Sequence, residues 1–263
     1  MAFTFFKTSD ADTLGRFGFR LIKGGAHTSR TMMLAELEAL LRTVPPGASE
    51  AEYAEAVVDR NVLGKETISS RKKSLSHLKE LYALTPRSPL FTILRALHQI
   101  SPDSLPQLAL LIALARDPLL RASAEAILPL AAGHSTSPAD ISKVIEREFA
   151  GTYSPKSLLS ISQNCASTWA QAAQLTGRVK KVRRALQPTP TGCVLAFLLG
   201  EVTGHHGAAM FDSPWCRAIE LDPERARGLG FEAHRRGLIN LRAIGEVVEV
   251  SFPCLPEAAQ PAP

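Results

Sequence analysis

The sequence predicts a mainly α-helical protein: a helical bundle with an N-terminal helix-turn-helix-like three-helix unit and a C-terminal winged-helix-like unit carrying a small β-hairpin. Three observations predict it. Apolar residues recur at helical spacing along most of the 263 residues. Start signals of the Ser/Thr/Asp type, several followed directly by proline, recur between these runs. Only the run 238–252, LINLRAIGEVVEVSF, reads as two β-stretches, turning around Ala243–Gly245.

Taken in order, residues 1–30 mix aromatics, glycines and the cations Arg16, Arg20, Lys23 and Arg30, and read as a lead-in that packs on the body. Thr28 or Ser29 is placed to cap a helix over 31–43, whose face is Met33, Leu34, Leu37, Leu40 and Leu41. Pro45-Pro46-Gly47 ends it. Ser49 with Glu52 fits a capping box opening a helix over 50–59. After the compact turn RNVLGK comes ETISSRKKSLSHLKELY, a helix over 66–82. Its expected apolar face is Ile68, Leu75, Leu78 and Tyr82, and its other positions carry hydroxyls and cations. Three helices with a short glycine turn before a basic third one follow helix-turn-helix order, a pattern that many helical bundles share.

TPRSP then links to helices expected over 90–100, 105–116, 118–131 and 138–150, apolar enough to form a central bundle. Another helix is expected from Tyr153-Ser154-Pro155 to about Leu175. GRVKKVRR, 177–184, follows with five cations in eight residues and no acid. It reads as an edge strand or an exposed turn. Past Pro188-Thr189-Pro190 the chain predicts an apolar helix over 191–203, a short one from Ser213 to Ile219, and one from Asp222 to about Arg236. Helix, helix and two-stranded wing is winged-helix order. The units expected are 1–86, 87–175 and 176–253, with a Pro/Ala-rich tail, 254–263, expected to be disordered.

Composition bounds the function. Hydrophobic residues make up 45% of the chain, enough to fill a core. The net charge is +5, so how the cations cluster matters more than their excess. Cys165, Cys193, Cys216 and Cys254 form no CxxC pair, which speaks against structural zinc and a disulfide framework and for free thiols in a reducing cytosol. No signal peptide and no run long enough to span a membrane is apparent, so a cytoplasmic protein without membrane partners is expected. No phosphate loop, dinucleotide fingerprint, nucleophile elbow or zincin motif occurs. The pair His205-His206 has no carboxylate or thiol at ligand spacing and reads as a turn. No cofactor and no catalytic residue is expected.

Two basic runs remain as candidates: Ser69, Arg71, Lys72, Lys73 and Lys79 in the first, and Arg178, Lys180, Lys181, Arg183 and Arg184 in the second. A basic helix face by itself most often only faces water. A run of five cations without an acid in its own sequence neighbourhood is harder to leave solvated, and phosphate contact suits both. Trp169 and Trp215 are the only large stacking plates and neither lies among cations, which disfavours a single-stranded RNA platform.

With these residues assembled, the chain resembles the BrxA family, small accessory proteins of the BREX phage-defence systems. The resemblance rests on NVLGKETISSRKKSLSHLKELYAL leading into TPRSPLFTILRAL, on LLIALARDPLLRASA, and on STWAQAAQLTGRVKKVRRALQPTPTGCVLAFLLGEVTGHHG through GLINLRAIGEVVEVSF. It implies an all-helical, non-enzymatic protein that binds double-stranded DNA, with other BREX proteins as partners. It also implies the ten residues of the two basic runs as the contacts. The residues leave two other readings open: a helical adaptor for acidic protein partners, and a binder of structured RNA.

Overall fold

A computed structural model describes residues 4–8, 10–178, 180–244 and 247–257. The described chain is mainly helical, with two small antiparallel sheets. Its elements are α1 (Ala11–Phe17), α2 (Leu34–Thr43), α3 (Glu50–Val58), α4 (Ile68–Tyr82), α5 (Pro89–Ile100), α6 (Leu105–Arg116), α7 (Pro118–Ile127), β1 (Ser135–Thr136), α8 (Pro138–Glu148), α9 (Pro155–Gln171), β2 (Leu175–Thr176), β3 (Lys181–Arg183), α10 (Pro190–Val202), α11 (Pro214–Arg217), α12 (Pro223–Arg235), β4 (Asn240–Ile244) and β5 (Val247–Ser251). Short 3-10 turns lie between some of them.

Two helices have apolar residues on every side and sit at the centre, as helices of that composition must. In α6 every residue from Leu108 to Ala115 is buried, and in α10 every residue from Thr191 to Gly200. Around them pack α4, α5, α7, α9 and α12. The aromatic lead-in joins the same core: Phe5 and Phe19 stand edge-on to Trp215 at 4.8 and 5.9 Å between ring centres. At the other end Leu255, which the sequence places in the tail, is buried. Residues 258–263 of that tail lie outside the described residues.

The start of α2 differs from expectation. Neither Thr28 nor Ser29 caps it; it begins at Leu34, behind Met33 in a left-handed conformation. Its first donors are met from α9 instead. Thr168 Oγ1 accepts from Met32 N at 2.8 Å, and Gln171 Oε1 accepts from Leu34 N at 3.2 Å. By contrast, Ser49 and Glu52 do form the capping box of α3. Asp117 caps α7, accepting from Leu119 N and Leu120 N, and also accepts from His27 N and lies 2.8 Å from His27 Nδ1.

Gly230 lets α12 approach α10. A methyl group there would sit 2.7 Å from the Phe197 ring. The β4–β5 hairpin pairs Asn240 with Ser251 through Ile244 with Val247, and its far end exposes Ile244 and Val247. Among the described residues no helix is long and apolar enough to cross a membrane.

Candidate nucleic-acid interface

The first basic run lies on α4, which only half belongs to the core. Ser74, Leu78, Leu81 and Tyr82 are buried, and Tyr82 Oη donates to Met32 O at 2.6 Å. Ile68, expected on the buried face, is 60% exposed. Its turn lies beyond the body that covers the C-terminal half, so the apolar face is shorter than the spacing predicts. Thr67 and Ser70 form a reciprocal cap at the helix start. Ser69, Lys72 and Lys73 are exposed, and their side chains make no hydrogen bond or ion pair among the described residues.

Arg71 and Lys79 differ from their neighbours. Arg71 donates from Nε to Lys65 O and from Nη1 to Val58 O, both at 3.1 Å, which clamps the turn before α4 to the end of α3. Lys79 pairs with Glu50 at 2.7 Å, and this contact holds the Glu50 carboxyl below its usual range. Among the five residues of this run, Ser69, Lys72 and Lys73 are unencumbered.

The second run is both turn and strand. Arg178 and Lys180 lie in bends between β2 and β3, and 181–183 form β3, which is the middle strand of the order β1-β3-β2 and not an edge strand. Gly177, at φ +97°, is a position where a side chain could not fit: a Cβ would lie 2.3 Å from Lys180 O. Arg178, Lys180 and Arg184 are exposed and unpaired among the described residues; Lys181 Nζ donates back to Gly177 O at 2.9 Å.

Arg183 corrects the expectation for this run. It is 3% exposed, pairs with Glu220 at 2.9 Å, and also donates to the Gln174 backbone and side-chain oxygens. A side chain so enclosed cannot reach a phosphate. The run has no acid of its own, but the fold supplies Glu220 from the loop after α11. The same carboxylate accepts from Leu186 N at 2.7 Å, so this pair fastens β3 and the following segment to the C-terminal helices.

The two runs hang on a common segment. Residues 29–34 touch α4 through Ser29–His77 and Tyr82–Met32, and touch α9 through Thr168 and Gln171, just ahead of the β2–β3 turn. No hydrogen bond or ion pair joins the side chains of the two runs among the described residues.

A third group of cations was missed in the sequence, on α12 and β4. Arg225 donates to Glu220 O, Arg227 lies over the Phe211 ring at 4.9 Å, and Arg236 pairs with Glu232. Arg235 and Arg242 are exposed without an ion pair among the described residues. The signal was the HRR step closing the predicted helix, masked by the acid Glu232 one turn before it.

Other reactive-looking groups are structural. His205 is buried with Nε2 3.3 Å from Phe5 O, and His206 pairs with Glu201. Trp169 and Trp215 are fully buried, donating to Ser123 and Thr203 hydroxyls. Among the described residues no three His, Cys, Asp or Glu side chains are placed to hold a metal. No protein-family model matches the chain, and no curated protein matches it significantly.

Proposed function

We propose that this protein binds double-stranded DNA without enzymatic activity, mainly through phosphates, as an accessory protein of a BREX-type phage-defence system. The defence assignment comes from the resemblance to BrxA. The DNA reading is carried by one observation: Lys72 and Lys73 on the projecting half of α4, and Arg178, Lys180 and Arg184 around the Gly177 turn, are exposed cations that no internal acid neutralises. A phosphate backbone is the polyanion that such scattered, unpaired cations can meet without shape-specific pockets.

Element order supports the reading. α2, α3 and α4 follow helix-turn-helix order, with the hydroxyl-rich start of α4 projecting. α10, α11 and α12 followed by the β4–β5 hairpin follow winged-helix order, which would bring Arg235 and Arg242 beside a duplex. Burial of both tryptophans removes the stacking plates that a single-strand reader needs.

The test is fluorescence anisotropy with a labelled 30-base-pair DNA duplex, a matched RNA duplex and a single strand. The proposal expects saturable DNA binding that weakens steeply with salt. Equal binding of the RNA duplex would move the assignment to A-form backbones generally. Absence of DNA binding at about 50 mM salt, where phosphate contacts are strongest, would reject it.

A further inference from the structure

The first basic run carries more than charge. The exposed residues of α4 are Ile68, Ser69, Lys72, Lys73 and Ser76. Their successive spacings alternate between neighbours and one turn, so they share one face of the helix. At a rise of about 1.5 Å per residue the face spans roughly 12 Å, the length of about three to four base-pair steps. Lys72 and Lys73 have no ion pair and Ser69 and Ser76 no side-chain hydrogen bond among the described residues. Ile68, at one edge of the same face and one turn from Lys72, is 60% exposed.

This face projects, yet the turn that starts it is held still. Thr67 and Ser70 cap each other, Ser70 N donating to Thr67 Oγ1 at 3.1 Å. Arg71 spends its fork on Lys65 O and Val58 O and so leaves the face clear of a third long cation. Lys65 in turn is fastened twice: its Nζ donates to Glu36 on α2 at 2.9 Å, and its N to Asn61 Oδ1 at 2.8 Å. A surface fixed in advance loses little freedom when a partner docks on it. The acid nearest along the chain, Glu66, lies ahead of the Thr67 cap and outside the helix.

The major groove of a DNA duplex admits an α-helix, and each kind of side chain on this face has a counterpart there. Lysine meets guanine O6 and N7, serine meets donors or acceptors on the base edges, and an aliphatic group meets the 5-methyl of thymine. On the basis of the DNA reading, we propose that this face of α4 enters the major groove and that Ile68 reads thymine through its 5-methyl group. A sequence preference is thereby added to the phosphate contacts. Charge selects the duplex over an apolar protein surface: packing such a surface on Ile68 would also desolvate Lys72, one turn away, without an acid to pair it. The methyl group lies only in the major groove, since the minor-groove edge of thymine presents an acceptor alone.

The experiment measures anisotropy of the full-length protein with an A·T-rich DNA duplex and with the same duplex carrying deoxyuridine for every thymidine. The exchange removes the 5-methyl groups and leaves the charge and the base pairing intact. The wild type should bind the thymine duplex tighter by about fourfold for each methyl contacted, the ratio that burial of one such group carries. Ile68→Ala should bring the thymine duplex down to the affinity of the deoxyuridine one with the salt slope unchanged, since no cation is lost. Ile68 is exposed, so the variant should keep its fold, which the thermal midpoint checks. Equal binding of the two duplexes by the wild type would overturn the proposal and leave the phosphate contacts standing. A preference that survives in Ile68→Ala would overturn it too, by placing the methyl contact elsewhere. Equal weakening of both duplexes in Ile68→Ala would overturn it in favour of a minor-groove or sugar contact. Failure to bind either duplex at about 50 mM salt would remove the DNA reading itself, and this proposal with it.

Discussion

Replacing Lys72 and Lys73 together with alanine, and separately Arg178, Lys180 and Arg184, perturbs only side chains that hold nothing inside the protein. Each phosphate contact contributes about 0.9 to the slope of log affinity against log salt, so the double variant should lose about 1.8 units and the triple variant about 2.7. Between about 50 and 200 mM salt, log salt rises by about 0.6, and 1.8 units then amount to roughly twelvefold. The wild type should lose about twelvefold more affinity across that range than the double variant. Anisotropy at five salt concentrations measures the slopes, and circular dichroism and thermal midpoints check folding. Arg183→Gln is the control within the same run. Its partner Glu220 would be left facing a neutral amide, which should cost about 3–5 kcal/mol of stability, while the salt slope stays that of the wild type. Wild-type slopes in both the double and the triple variant, with folding intact, would refute the assignment of these cations to phosphates.

Other outcomes follow from the interior. Asp117→Ala strands His27 N and removes the α7 cap, and should destabilise the protein by about 3–5 kcal/mol in urea unfolding. Burial pushes the Asp117 carboxyl up, but the nearby His27 imidazole and the hydrogen bonds from the His27 ring, His27 N and Leu120 N pull it further down, so its folded value lies below the usual range. Its contribution to stability should therefore be complete above about pH 5 and fade as pH falls below about 4; Asp117→Asn should flatten that acid limb. Burial raises the Cys165, Cys193 and Cys216 thiols, Cys216 to about 12, and also raises that of half-buried Cys254. A thiol reagent at pH 8 should then label at most Cys254 promptly in the native protein, and all four cysteines in denaturant. Gly230→Ala should cost about 1–3 kcal/mol by forcing α12 off Phe197, read as a lowered thermal midpoint.

Much of the fold was legible because local signals and tertiary packing agreed. The capping box of Ser49 and Glu52, Asp117 before Pro118, and the ends of α6 all appear in the chain as the residues that make them. The failures share a cause: the partner came from far along the chain. The start of α2 is met by Thr168 and Gln171, more than a hundred residues away, so no local residue marks it. β1 and β2 are two residues each and are strands only because β3 lies between them. The end of α4 turns through Ala83 and Leu84, both at positive φ without a glycine, and Arg116 donates to Glu80 O and Lys79 O there.

The same distinction explains why the site was only partly legible. A cation's sequence neighbours show whether an acid is near along the chain, not whether a carbonyl or carboxylate waits in space. Arg71, Arg95, Arg116 and Arg121 spend their guanidinium forks on backbone carbonyls, most of them at helix ends, and Arg183 divides its fork between the Glu220 carboxylate and the Gln174 oxygens. The planar fork is suited to bridging two carbonyls, and a lysine ammonium is not. Within the two runs, Arg71 and Arg183 are lost to this use, while Lys72, Lys73 and Lys180 remain open. Arg178 and Arg184, which flank the Gly177 turn and β3, are exposed and make no side-chain hydrogen bond or ion pair among the described residues. An arginine next to a helix C-terminus should therefore be discounted before cations are counted toward a partner, and a lysine on a projecting turn should not.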